Sequence, residues 1–128
     1  MPKRTWGFTP EQWDGARTEL RIVLRETAAA RSTVTYGEVA RRVFGGRVSA
    51  RSGALMDLLG EADTEAEAAL GVMIASLVVR ADSGIPGEGY FTFVQEDLGR
   101  PIGDRREFWE GEVRRVWDAF SSVRGVRP

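Results

Sequence analysis

The stretch Thr33–Leu59 constrains the fold more than any other part of the chain, and it reads TVTYGEVARRVFGGRVSARSGALMDLL. Its apolar residues recur at helical spacing on both sides of Gly45-Gly46, a pair that favours the end of a helix. Thr35 and Glu38, three residues apart, form a capping box that marks where the first helix begins. The stretch therefore predicts a helix, a glycine turn and a second helix, which is the outline of a helix-turn-helix.

The two helices of this motif are expected at about 36–44 and 49–59. Ser49 is the expected N-cap of the second helix, and Gly60 is expected to end it. A short acidic helix should follow and end at Gly71, where a glycine again suits a helix terminus.

Other segments predict the elements that surround the motif. A helix should begin after Thr9, because Pro10 and Gln12 complete a strong start signal. Val72–Arg80 is apolar and rich in β-branched residues, which predicts a buried strand.

The segment that follows this strand has two interpretations. Ser83–Gly89 is rich in turn residues. Tyr90–Val94 alternates as a strand would, but Phe91, Val94 and Leu98 also fit a helix; a short strand or an extended entry into a helical turn is favoured. The loop is then either a wing that approaches DNA or a fixed turn that seats Tyr90 and Phe91 in the core. The second interpretation is favoured, because the loop carries Glu88 but no Lys or Arg.

These elements predict a single α+β domain over residues 1–128, a winged helix-turn-helix with a small sheet and an added C-terminal helix. That last helix is expected from Asp104 to about Ser121, with a broad apolar face that includes Trp109, Trp117 and Phe120. Packing against the core accounts for such a face. The alternative is an interface with a second copy of the chain or with a protein partner.

The chain contains neither Cys nor His. This excludes disulfides, thiolate nucleophiles, the usual zinc sites and histidine-based catalytic triads. Asp and Glu total 19, but their clusters lie on predicted helices, which is typical of solvated helix faces rather than of a metal-dependent nuclease. We therefore expect no catalytic residue, no cofactor and no metal site.

Charge is unevenly distributed along the chain, although the net charge is only −1. Residues 31–53 carry a net charge of +4, and residues 57–67 carry −5. Arginine at the first turn of the second motif helix suits phosphate and guanine contacts in double-stranded DNA, because its planar group donates two parallel hydrogen bonds. The residues expected at such a surface are Arg41, Arg42, Arg47, Ser49, Arg51 and Ser52.

Two segments of the stretch resemble a known family. Thr35–Ala40, T-Y-G-E-V-A, is similar to the T-Y-G-E-[IV]-A segment of the alkyltransferase-like proteins and the O6-alkylguanine-DNA alkyltransferases. Ala50–Leu55, A-R-S-G-A-L, is similar to an A-R-A-V-G-like run in the next helix of that family. The resemblance implies that Tyr36 approaches a DNA phosphate and that Arg51 acts at the base stack. The family's P-C-H-R run is missing, and with it the Cys that accepts an alkyl group, so alkyl transfer is excluded.

The sequence thus favours a DNA-binding protein without catalytic activity. The alternative is a protein–protein interaction module of the immunity, inhibitor or adaptor type, which would use the acidic region and the aromatic C-terminal helix. The near-neutral net charge favours this alternative, and the arginine cluster favours DNA. The apolar runs are too short to cross a membrane and the first residues lack an apolar signal core, so a cytoplasmic location is expected.

Overall fold

A computed structural model describes residues 6–49 and 52–125 of the chain. The described residues are mostly helical and include one two-stranded parallel sheet, which agrees with the predicted α+β class. In chain order, the elements are α1 (Pro10–Ala29), β1 (Val34–Thr35), α2 (Tyr36–Phe44), α3 (Gly53–Leu70), a 3-10 helix (Ile74–Leu77), β2 (Val78–Val79), α4 (Glu88–Thr92), a π-helical turn (Phe93–Asp97) and α5 (Arg105–Gly125).

The predicted starts of the first two helices are confirmed by their caps. The Thr9 hydroxyl accepts the N–H of Gln12 at 3.0 Å, and the Gln12 side chain accepts the N–H of Thr9 at 2.8 Å. The Thr35 hydroxyl accepts the N–H of Glu38 at 3.2 Å. The Glu38 carboxylate pairs with Arg41, so the second capping box is only half formed.

The second helix of the motif has different bounds from those predicted. α3 begins after Ser52, whose hydroxyl accepts the N–H of Leu55 at 3.1 Å, so the prediction of Ser49 as N-cap is wrong. The helix continues through Gly60 and ends at Gly71, which adopts the left-handed conformation with φ 69°. The predicted short acidic helix is therefore the second half of α3.

Tertiary contacts explain why Gly60 does not end the helix. The buried side of α3 continues past it at helical spacing, and its members are Leu55, Leu58, Leu59, Asp63 and Ala66. Two ion pairs join the same helix to α1, Arg17 with Glu61 at 3.0 Å and Arg21 with Glu65 at 2.9 Å. These contacts outweigh the low helix propensity of glycine, which costs about 1 kcal/mol relative to alanine.

Replacing Gly60 with alanine is expected to raise the free energy of unfolding by about 1 kcal/mol, because the unfolded chain loses freedom and the helix gains propensity. A β-carbon added there would meet no atom within 4 Å. Urea unfolding followed by circular dichroism measures the change. Gly71→Ala is the matched control and should lower stability by about 1 kcal/mol, since its φ is left-handed. A loss of stability in Gly60→Ala would contradict a continuous α3.

The prediction of a strand over Val72–Arg80 is wrong for most of its length. Ile74–Leu77 form the 3-10 helix, and within this segment Val78–Val79 alone form β2, opposite Val34–Thr35. Every residue of 72–79 is buried. Because the run is apolar throughout, it lacks the alternation of apolar and polar residues that would distinguish a strand from a buried helical turn.

The favoured strand at Tyr90–Val94 is wrong, because these residues lie in α4 and the π-helical turn, and the helical alternative is confirmed. The described residues after β2 consequently form no β-hairpin, and the predicted wing is not seen. Ser83–Gly89 instead leads into α4 and seats Tyr90 and Phe91 in the core, where they are 7% and 1% exposed. This confirms the favoured interpretation of the loop as a fixed turn.

The core consists of two clusters that meet at α5. The larger lies between α1, α2, α3 and the 3-10 helix, and the smaller contains Met73, Phe91, Val94, Trp109 and Val113. α5 begins as predicted after Asp104, whose carboxylate accepts the N–H of Glu107 at 2.8 Å. It ends at Gly125, one turn beyond the predicted end.

Candidate nucleic-acid interface and the adjoining cavities

The residues predicted to contact DNA follow α2 and the connection to α3. Tyr36, Arg41 and Arg42 lie on α2, while Arg47 and Ser49 lie in the connection. Ser52 is the N-cap of α3. Arg51 lies outside the described residues, so its predicted contact with bases stays a prediction.

Tyr36 is the first residue of α2, and its ring faces the loop that precedes α4. Its hydroxyl oxygen accepts the N–H of Gly87 at 3.0 Å, which leaves the hydroxyl proton free to be donated to another acceptor. Burial raises the pKa of Tyr36, so the group remains a protonated donor at neutral pH. The geometry gives this residue the chemistry that a phosphate contact requires.

Both α2 arginines are engaged by acidic side chains of the same chain. Arg41 pairs with Glu38, and Arg42 lies 3.3 Å from Glu26 and 3.8 Å from Glu19. Ion pairs at a solvent-exposed surface contribute only about 0–1 kcal/mol. An anion of higher charge density can therefore draw these arginines away from their partners.

Arg47 is exposed, and its guanidinium lies over the ring of Phe8 at 5.3 Å from the ring centroid. Phe8 in turn packs against Phe44 at the end of α2, with 5.2 Å between the ring centroids. The Ser49 side chain is exposed, and its carbonyl accepts the N–H of Ser52 at 3.1 Å. In the described part of the connection, Arg47 is thus oriented by its contact with Phe8 near the end of α2.

The ring of Trp6 packs on the first turn of α3, a contact that the sequence did not predict. Its indole N–H donates to Asp57 at 2.8 Å, and its ring lies so close to Gly53 that a β-carbon there would be 2.4 Å from it. The sequence signal for this contact is Gly53, because the first position of a helix ordinarily tolerates a side chain. Any ligand that approaches this end of α3 meets the Trp6 ring.

Two surface cavities open beside α2 and α3. The first has a volume of about 720 Å³, lies between Tyr36, Met56 and Gly87, and has the ion pair of Arg80 with Asp82 at its rim. The second has a volume of about 470 Å³ and shares Tyr36 and Met56 with the first. Tyr36 therefore stands between the predicted DNA surface and both cavities.

A buried acidic residue, Asp63, lines the second cavity. It is 3% exposed, and its carboxylate accepts the N–H of Ala75 at 2.7 Å. Burial raises the pKa of Asp63 to about 7, and the nearby carboxylates of Glu67 and Glu112 add to the effect. Asp63 lies in the region predicted as a short acidic helix, and its burial depends on the packing of the 3-10 helix against α3.

Next to Asp63 lies a hydrogen-bonded group of buried residues. The hydroxyls of Ser76 and Tyr90 are 2.6 Å apart, and the indole N–H of Trp109 donates to the Ser76 carbonyl at 2.8 Å. Burial also raises the pKa of Tyr90, so this hydroxyl is neutral at physiological pH. The group fixes the wall of the cavity that the 3-10 helix forms.

The residues predicted at a protein interface do not share one exposed surface. Trp109 is 9% exposed and belongs to the core. The indole N–H of Trp117 donates to the Ser32 carbonyl at 3.1 Å, and Arg31 lies over its ring. Phe120 is half-buried and borders a small groove of about 150 Å³ between α1, α3 and α5.

Two other features are absent from residues 6–49 and 52–125. These residues contain no helix that is long and apolar enough to cross a lipid bilayer. They also bring together no group of three or more Asp or Glu side chains placed to hold a metal ion.

Comparison of the chain with protein-family models, with curated proteins and with solved structures found no match. The likeness to the alkyltransferase-like proteins therefore rests on the two short segments quoted above.

Proposed function

We propose that this chain is a non-catalytic protein that binds double-stranded DNA through α2, the connection after it and the start of α3. The observation that carries the proposal is Tyr36, whose hydroxyl is held by Gly87 and keeps a proton to donate. Phosphate oxygens are the commonest acceptors at protein–DNA interfaces, and neutral hydroxyls are among the donors that position a protein on the duplex.

Exposed arginines on α2 and in the connection after it also support the proposal. Arg41, Arg42 and Arg47 are exposed. Contacts between arginine and phosphate release counterions from the duplex, and this release supplies much of the affinity of DNA-binding proteins. The loss of weak surface ion pairs on α2 opposes binding only slightly.

The start of α3 adds a third element to the proposed surface. α3 has 18 residues, and a helix of this length presents the positive end of its dipole at Ser52. In a helix-turn-helix, the first turn of the second helix is the part that reaches base edges. Trp6 lies at the same end, so its ring would lie at the contact with the duplex.

The alternative, a protein interaction module, has less support from the contacts. Glu61 and Glu65, which belong to the acidic region, are paired with arginines of α1 rather than left for a partner. Trp109, the first aromatic residue of the proposed interface, is in the core. Trp117 and Phe120 are both only partly exposed, and Phe120 borders the small groove between α1, α3 and α5.

A titration of the protein into a short fluorescent DNA duplex, followed by anisotropy at several salt concentrations, tests the proposal. We expect micromolar binding at low salt, with an affinity that falls as salt rises. Arg47→Ala should weaken binding to all sequences and lower the salt slope by about 1. Arg114→Ala removes another exposed arginine, on α5, and should change neither quantity.

Two results would overturn the proposal. One is the absence of duplex binding at micromolar protein and low salt. The other is an equal effect of Arg47→Ala and Arg114→Ala, because it would show that binding reflects overall charge rather than this surface.

A further inference from the structure

The second cavity is lined by an unusual combination of acidic and aromatic side chains. Four of its lining residues are acidic, Asp57, Asp63, Glu88 and Asp97, and among the described residues that line it there is no Lys or Arg. Three aromatic rings complete it, those of Tyr36, Tyr90 and Phe93. A cavity of this composition carries negative potential and a polarisable apolar surface.

Two of the four carboxylates are committed to contacts within the chain. Glu88 holds Arg105 through both oxygens, at 2.8 and 2.6 Å, and Asp57 accepts the indole N–H of Trp6. Asp97 is exposed at the edge of the cavity. Asp63 is therefore the carboxylate that determines the chemistry of the interior.

Within the described part of the chain, only one of the two carboxylate oxygens of Asp63 accepts a hydrogen bond. Its Oδ1 oxygen accepts the N–H of Ala75, and Oδ2 accepts no hydrogen bond from the described part of the chain. An ionised carboxylate that is 97% buried is unfavourable unless a counter-charge or further hydrogen-bond donors lie next to it. The cavity is the side from which such a group can come.

We propose that the second cavity binds a small organic ammonium ion, with Asp63 as its counter-ion and the rings of Tyr36, Tyr90 and Phe93 around its apolar part. An ammonium group supplies both the charge and the hydrogen-bond donors that Asp63 Oδ2 lacks. Aromatic faces attract organic cations through their quadrupoles. An anionic ligand would be repelled by the same walls. The proposal does not depend on DNA binding.

The site should respond to pH, because the ammonium ion pairs with ionised Asp63. The groups that face Asp63 are Glu67 on its own helix, Glu112 on α5, Tyr90 on α4 and Tyr36 on α2. The acids favour the protonated form of Asp63, and neither tyrosine offers a positive charge. Affinity for an amine should therefore rise with pH until Asp63 is ionised and then stay constant.

Isothermal titration calorimetry with 2-phenylethylamine as the probe tests the proposal. We expect one saturable site at pH 8 with a Kd of about 1 mM or below, and binding at least about tenfold weaker for the neutral 2-phenylethanol. Below pH 7 the affinity for the amine should fall by up to about tenfold per pH unit.

Asp63→Asn is the decisive variant, because asparagine keeps an oxygen for the Ala75 N–H and removes the charge. It should lose at least about tenfold in amine affinity, while its thermal unfolding stays cooperative. Asp118→Asn, which removes an exposed carboxylate on α5, should bind the amine like the unmodified protein. No saturable binding of the amine, equal binding of the alcohol, or an unchanged affinity in Asp63→Asn would each overturn the proposal.

Discussion

Replacing Asp63 with asparagine is expected to make the protein more stable at pH 8 by about 4 kcal/mol and to leave its stability at pH 4 nearly unchanged. The unfolded chain ionises Asp63 at its ordinary pKa near 3.8, whereas burial holds the pKa of the folded state at about 7. Between these two values the folded state binds a proton that the unfolded state has released. The free energy of unfolding therefore falls as the pH rises through this window.

The comparison with Asp63→Asn isolates this one group from the other carboxylates of the chain. Urea unfolding of both proteins at pH 4, 6 and 8 gives the difference in the free energy of unfolding. The difference should grow with pH and level off above about pH 7. Asp118→Asn, at an exposed carboxylate, should show no such growth. A constant difference across the pH range would contradict a buried, protonated Asp63.

Trp109→Ala is expected to lower the free energy of unfolding by about 3–5 kcal/mol, because it removes a large buried side chain and leaves a cavity in the core. The indole also donates to the Ser76 carbonyl, which would lose its partner. The free energy of unfolding of a typical domain is about 5–15 kcal/mol, so this loss would be a large part of it. Urea unfolding measures it, and light scattering after gel filtration gives the mass of each protein.

Trp6→Ala serves as the control for the loss of an indole, since Trp6 is 41% exposed. It should change the free energy of unfolding by about 1 kcal/mol or less. If Trp109→Ala were nearly as stable as the unmodified protein but had a smaller mass in solution, Trp109 would belong to an interface between subunits. This outcome would contradict its place in the core.

The sequence predicted those features that depend on neighbouring residues. Thr9 and Thr35 mark helix starts because a cap is made by a hydroxyl and an N–H three residues away. Gly45 ends α2 in the left-handed conformation, with φ 62°, for a similarly local reason.

The errors lie where distant contacts decide the local structure. Gly60 has the composition of a helix end, yet α1 and the core hold α3 together across it. The run 72–79 is buried on all sides, so its apolar residues do not distinguish a strand from a 3-10 helix. Tyr90–Val94 forms a helix because Phe91 and Val94 both point into the smaller core cluster.

The candidate sites were predictable only in part for the same reason. The arginines proposed to contact DNA could be grouped from the sequence because they are close together in it. The second cavity joins α2, α3, α4 and the π-helical turn, and no local pattern indicates that Tyr36, Asp63 and Phe93 meet there. The burial of Asp63 is a property of the tertiary structure, and nothing in the sequence distinguishes it from the acidic residues around it, Asp57, Glu61, Glu65 and Glu67.

Hydrogen–deuterium exchange with and without a DNA duplex tests the central proposal most directly. If the chain docks on DNA as proposed, the duplex should slow exchange in α2, in the connection and in the first turns of α3. Exchange in α5 should stay the same, and Arg47→Ala should reduce the protection at a given DNA concentration. Protection that is absent, or that falls on α5 instead, would contradict the assignment of this surface to DNA.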